Sequence, residues 1–210
     1  MPLELSDKAT IVFQGDSITD CGRTSSPNPE TSLGVGYPYL LSAMLGADYP
    51  DVELTFINRG ISGNRVKDLQ GRWKKDCLDH NPDIVSILIG VNDTWRRYDS
   101  NSTTNADEYE DAYRDILEQT AKTGAQIIIL EPFLLPIPED RKMWREDLDP
   151  KIHVARKLAC EFAAAYVPLD GIFAAASIER EHSFWAADGV HPTPAGYGLI
   201  TKSWLEAAGL

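Results

Sequence analysis

Five short apolar runs, separated by segments of helical period, constrain this chain of 210 residues more than any other feature. The runs are Ala9 to Gly15, Val52 to Ile57, Ile84 to Ile89, Gln126 to Leu130 and Tyr166 to Leu169. Several are β-branched and apolar almost without interruption. A strand of that kind has to be covered on both faces, which a parallel sheet layered between helices provides. Between and after the runs lie Tyr37 to Leu45, Val66 to Leu78, Asp107 to Lys122, Leu148 to Ala165, and a terminal helix opened by Thr193 and ending near Gly209. The acidic start of the 107–122 segment suits the positive end of a helix dipole, and Gly124 closes it.

The alternation predicts an α/β fold: a three-layer α/β/α sandwich, flavodoxin-like, with a five-stranded parallel sheet. Neither a repeat nor a linker interrupts it, so residues 1–210 read as a single domain. Residues 21–35, rich in Ser, Pro and Gly, and residues 131–146, with three prolines, read as loops. Gly34-Val35-Gly36 does not follow a strand and lacks the full dinucleotide fingerprint.

A formal net charge of -12 argues against nucleic acid and anionic membrane surfaces as partners, since both attract Lys and Arg. No stretch reaches membrane-spanning length. Met1 to Asp7 lacks a basic segment followed by an apolar one, so a cytoplasmic location is expected. Cys21, Cys77 and Cys160 are widely spaced with no CxxC pair, which suggests neither a zinc site nor a disulfide framework.

The chemistry lies in the segments just past the strands. The first strand leads into Gly15-Asp16-Ser17, the second into Asn58-Arg59-Gly60-Ile61-Ser62-Gly63-Asn64, and the third into Gly90-Val91-Asn92-Asp93. In a parallel sheet these ends share one edge, the edge where open α/β sheets bind ligands. A late loop, Asp188-Gly189-Val190-His191-Pro192, precedes the last helix. Acyl transfer needs a nucleophile, a base, an orienter for the base and donors for the oxyanion. Ser17 can be the nucleophile, His191 the base, and Asp188, three residues earlier, can hold Nδ1–H within one tight turn. The backbone N–H groups of Ser17 and Gly63 and the side-chain amide of Asn92 can form the oxyanion hole. Taken singly, each block has a plainer reading: a cap at Ser17, a surface loop histidine at His191, an Asx-turn at Asp188, a turn or helix cap at Asn92-Asp93, and a loop turn at Gly60 and Gly63. All four falling at the right places argues for catalysis.

These blocks resemble those of the SGNH (GDSL-type) hydrolases, in the family order and from near one end of the chain to near the other. Ile18 stands where the family name has Leu. The resemblance implies Ser17 as nucleophile, His191 as base, Asp188 as its partner, and Ser17, Gly63 and Asn92 as the oxyanion hole. It implies ester hydrolysis without a cofactor. The longer matches, Gly15 to Arg23, Asn58 to Asn64 and Asn92 to Asp99, are similar to intracellular acetyl-xylan esterases of that superfamily. They imply an acetylated xylo-oligosaccharide as substrate. A lysophospholipase, thioesterase or general short-chain esterase would use the same triad, and a non-catalytic sugar-binding protein would keep the fold.

Of the five tryptophans, Trp73 and Trp204 fall at helical core positions. Trp95, Trp144 and Trp185 fall in or beside loops and could stack on sugar rings or cover loop contacts. Asp16, Trp95, Arg96 and Trp185 are the expected substrate-binding residues. His80, His153 and His182 lack metal-ligand spacing, and the acidic edge of Asp16, Asp20 and Asp93 is explained by the serine chemistry without a metal. The sequence leaves homo-oligomer formation open, as it does whether 131–146 is a lid or an interface.

Overall fold

The computed structural model describes residues 3–26 and 28–210; Met1 and Pro2, part of the N-terminal segment, and Pro27, within the 21–35 loop, lie outside the described residues. The strands are β1 (Thr10–Gly15), β2 (Thr55–Asn58), β3 (Ile84–Leu88), β4 (Gln126–Leu130) and β5 (Ala165–Val167). The helices are α1 (Ser17–Asp20), α2 (Pro29–Ser32), α3 (Tyr37–Asp48), α4 (Val66–Asp76), α5 (Val91–Asp99), α6 (Ala106–Ala121), α7 (Arg145–Glu161), α8 (Leu169–Glu179), α9 (His182–Trp185) and α10 (Pro194–Ala208). All strand pairs are parallel, in the order β2-β1-β3-β4-β5. None of the described helices is long and apolar enough to cross a membrane.

The continuous apolar strands are buried twice, as expected. In β3, Ile84 and Leu88 join one core with Phe13, Tyr37, Leu41, Ile200 and Trp204 from β1, α3 and α10. Val85 and Ile87 point the other way, into a second core with Leu69 and Trp73 of α4, Tyr113 and Ile116 of α6 and Leu158 of α7. Alternate residues thus feed opposite layers, because side chains alternate across a pleated strand. The one polar residue inside β3, Ser86, accepts a hydrogen bond from Trp204 Nε1 at 3.1 Å. Trp73 and Trp204 are both core residues, at 1% and 0% exposure.

The element limits differ from the sequence reading in physical detail. Helix α7 starts at Arg145 rather than Leu148 and stops at Glu161, four residues short of β5. Ala163, in the left-handed region at φ 49, is a conformation no helix interior holds. Five helices escaped the periodicity, α1, α2, α5, α8 and α9, and α2 lies within the 21–35 segment read as a loop. Helix α5 carries an apolar stripe of Val91, Trp95 and Tyr98, but over only nine residues, and the polar Asn92, Asp93 and Thr94 are buried beside it, so the stripe is short as a signal in the sequence.

The topology sets the location of the site. β1 has β2 on one side and β3 on the other, so the chain leaves β1 in one direction and returns in the opposite one. Such a switch point opens a crevice beyond the C-terminal strand ends. The register pairs Gly15 with Leu88 and Phe13 with Asn58, so the segments after β1, β2 and β3 emerge at one level.

Candidate active site

Ser17 stands two residues past the end of β1, at the first position of the single-turn helix α1. Gly15 makes this exit tight: a Cβ there would lie 2.3 Å from Thr19 Oγ1 and 2.5 Å from the Leu88 carbonyl. Asp16 caps the turn, its Oδ1 accepting from the Ile18 N–H at 3.0 Å. Arg72 of α4 clamps the same corner. Its Nε donates to Asn64 Oδ1 at 2.8 Å, Nη1 to Gln14 Oε1 at 2.9 Å and Nη2 to the Gly15 carbonyl at 3.3 Å. This residue ties the end of β1 to the Gly63 loop. Its place in mid-helix gave no signal in the sequence.

His191 Nε2 lies 2.8 Å from Ser17 Oγ, although the two residues are 174 positions apart. On the other side of the ring, Nδ1 is 2.7 Å from Asp188 Oδ2. The second oxygen of Asp188 is also engaged, accepting from the N–H groups of Val190 at 3.0 Å and His191 at 2.7 Å. The loop is held at both ends: Thr193 N–H donates to the Trp185 carbonyl at 2.8 Å, and Leu135 N–H to the Gly189 carbonyl at 2.9 Å. Residues 131–146 therefore brace this loop, and their Phe133, Leu134, Leu135 and Trp144 are buried.

The charges in the relay support one another. Burial would raise the Asp188 carboxyl, but hydrogen bonds from the His191 ring and from two backbone N–H groups hold it well below the usual carboxylate range. In return the hydrogen bond to Asp188, partly opposed by burial, lifts His191 above its ordinary 6.5. A histidine acting as base must be neutral, and Asp188 raises the pH at which it becomes so. For a neutral ester, kcat/KM is therefore expected to rise with pH through a midpoint above 6.5. A profile flat across the neutral range, with chemistry rate-limiting, would remove His191 as the base.

Three N–H groups are the candidate oxyanion donors. Among the described residues, the backbone N–H groups of Ser17 and Gly63 donate to no acceptor in the molecule. Gly63 has φ +82, a conformation that favours glycine. Asn92, 4% exposed, spends one amide hydrogen on the Asn64 carbonyl at 3.1 Å, which fixes the amide and leaves the other hydrogen free. Asn92 sits in the first turn of α5, immediately beyond β3.

Helix α5 forms a wall of the site. Asn92, Trp95, Arg96 and Asp99 recur at helical spacing on one side. The Trp95 ring centroid is 6.1 Å from that of His191. Behind it, Trp144 packs against Trp95 at 5.2 Å and stacks on Tyr98 at 5.2 Å. The Arg141 guanidinium lies 3.9 Å over Trp144 and 4.9 Å over Trp95. Arg97 and Tyr98 face elsewhere, bonding Glu146, Asp147 and the Met143 carbonyl.

Two of the expected substrate contacts look different in the fold. Asp16 is 1% exposed, so its carboxyl lies beneath Ser17 and not in the crevice. Its Oδ2 has no partner among the described residues. Burial pushes Asp16 up to about 7 and, likewise, Asp93 to about 7. The Asp16 charge then adds to the forces that raise His191. Trp185 adjoins the catalytic loop, yet its indole N–H donates to the Ala176 carbonyl of α8 at 3.1 Å and its ring meets Phe184 edge-on. That contact makes Trp185 a strut between α8 and the loop. Trp144, 3% exposed, supports Trp95 from behind.

Fold and site together define a hydrolase of carboxylic esters built on a five-stranded parallel sheet. Residues 13–199 match the GDSL-like lipase/acylhydrolase family, and the chain belongs to that family. It is 35% identical to an acetylxylan esterase of Geobacillus stearothermophilus over 99% of this chain and 97% of that one. The crystal structure of Axe2, an acetylxylan esterase from the same organism, superimposes with a TM-score of 0.89 at 32% identity, covering 99% of this chain and 97% of Axe2. A crystal structure from Parabacteroides merdae, described as a candidate GDSL-like lipase, gives a TM-score of 0.94 at 37% identity, covering 100% of this chain and 99% of that one.

Proposed function

We propose that this protein removes acetyl groups from acetylated xylo-oligosaccharides in the cytoplasm, acting as one domain through an acyl-enzyme on Ser17. The observation that carries the reading is the unbroken relay from Ser17 Oγ to His191 Nε2 at 2.8 Å and from His191 Nδ1 to Asp188 Oδ2 at 2.7 Å, beside uncommitted N–H donors. His191 takes the Ser17 proton as Oγ attacks the acetyl carbonyl. The carbonyl oxygen becomes an oxyanion facing the N–H groups of Ser17 and Gly63 and the Asn92 amide. His191 then gives the proton to the departing sugar oxygen, leaving acetyl-Ser17. Water, deprotonated by the same imidazole, releases acetate and restores Ser17.

The leaving oxygen must face His191 Nε2 to receive that proton, so the sugar lies on the His191 side. There Trp95, half-buried and 6.1 Å from the imidazole, offers an indole face for a sugar ring. The acetylxylan esterase from Geobacillus supports the same acyl acceptor at near full-length coverage. A chain-length series of p-nitrophenyl esters, followed by acetylated xylo-oligosaccharides, tests the reading. Acetyl is expected to be fastest, and kcat/KM on the oligosaccharide to exceed that on the aryl ester. Faster turnover of octanoyl than acetyl esters would move the assignment to a lysophospholipase or thioesterase.

A further inference from the structure

The chemistry of acyl transfer says where the acyl chain must go. A tetrahedral carbon on Ser17 has four substituents: Ser17 Oγ, the oxyanion in its hole, the leaving oxygen toward His191, and the acyl carbon. Trp95 and His191 occupy the leaving-group side. With the oxyanion in the proposed hole, the direction left for the acyl carbon is the side bordered by Gly63.

Arg96 reaches that border. It lies one helical turn beyond Asn92 on the same side of α5. Its Nη2 lies 3.5 Å from where a Cβ on Gly63 would stand. Nη1 donates to Asp99, one further turn along the helix, and this pair fixes the guanidinium over the Gly63 loop. Among the described residues, Nη2 itself donates to no acceptor.

We infer that Arg96, pinned by Asp99, is the residue that limits the acyl group to acetyl. The inference deepens the acetyl-ester proposal and rests on it. On this assignment an acetyl methyl ends short of the guanidinium. Each further carbon would have to run against a charged, hydrated group and strip its water without an apolar surface in return. A direct electrostatic role at the oxyanion is the weaker alternative. Arg96 and Asp99 are 36% and 33% exposed, and a solvated, mutually neutralising pair casts little field on a neighbour.

The two roles separate in the acyl-length dependence. A field on the oxyanion would act on every ester alike, whereas an obstacle to the chain acts only on the longer ones. The test is the ratio of kcat/KM for p-nitrophenyl butyrate to that for p-nitrophenyl acetate. It is measured for the wild-type protein, Arg96→Ala and Asp99→Asn, with the fold of each variant checked by circular dichroism and thermal melting. Wild type should favour acetate. Arg96→Ala should raise the butyrate-to-acetate ratio about tenfold, the scale at which a pocket discriminates by one or two methylenes. Asp99→Asn, which keeps the guanidinium but unpins it, should raise the ratio by a smaller factor. It also serves as the test should Arg96→Ala not fold. An unchanged ratio in either folded variant, including an equal loss on both esters, overturns the assignment. Wild-type protein that hydrolyses neither ester overturns the acyl-transfer reading and this assignment with it, an outcome distinct from an unchanged ratio.

Discussion

Ser17→Ala is expected to lower kcat for every ester by about 10⁴–10⁶-fold and to leave the protein folded. The size of the loss follows from the mechanism. Without Oγ there is no covalent intermediate, and His191 and Asp188 have no proton to move. The N–H donors stay in place, so slow attack by water accounts for any residue of activity. The structure gives little reason for a loss of stability. Among the described residues, Ser17 Oγ makes one side-chain hydrogen bond, 2.8 Å to the half-buried His191. A bond of that kind contributes about 1 kcal/mol net. Alanine is also a good helix former at the first position of α1. Stopped turnover of acetyl esters, analysed by mass spectrometry, completes the measurement: wild-type protein should gain the mass of one acetyl group and Ser17→Ala should not. A folded Ser17→Ala with near wild-type kcat would falsify the assignment of the nucleophile.

Asp188→Asn should cost about 10⁴-fold in kcat, the scale of the same change in a serine-protease triad. Asparagine keeps the size of the side chain, and its carbonyl oxygen can still accept from the N–H groups of Val190 and His191. Its NH₂, however, donates where the carboxylate accepted. His191 Nδ1 would then be the acceptor and Nε2 would carry the proton, the wrong tautomer for taking one from Ser17. The residual activity has its own signature. The hydrogen bond to Asp188 is the largest influence raising His191, so without it the acid limb of the pH profile should move down. A variant with lower kcat and an unmoved limb would show that Asp188 orients the loop alone.

The relation between sequence and site is uneven, and the reasons are physical. Ser17 was legible because a β-branched strand ending at Gly15 has few ways to continue. His191 and Asp188 were legible as a pair because three residues in a tight turn keep a carboxylate within reach of Nδ1. Asn92 was legible as a strand-end residue, although the helix that carries it was not. Asp16 and Trp185 were legible only as neighbours in the chain, and nearness in sequence did not decide their direction. Asp16 turns under Ser17, where its Oδ1 accepts the Ile18 N–H that would otherwise lack a partner at the start of α1. Trp185 turns to α8, where a carbonyl satisfies its indole N–H.

By itself, then, the sequence determined the layered parallel sheet, the edge at which the candidate site lies, and the residue types that make up that candidate site. Those depend on strand burial and on short-range spacing, and both are written along the chain. Only the tertiary structure decided the walls of the site. Trp95 against His191, Arg141 over Trp95 and Trp144, Arg72 across the β1 corner, and Arg96 over Gly63 join residues from separate elements. Their meeting depends on how α4, α5 and the 131–146 segment pack around the switch point. Packing of that kind is set by the shape of every layer at once, and no local pattern carries it.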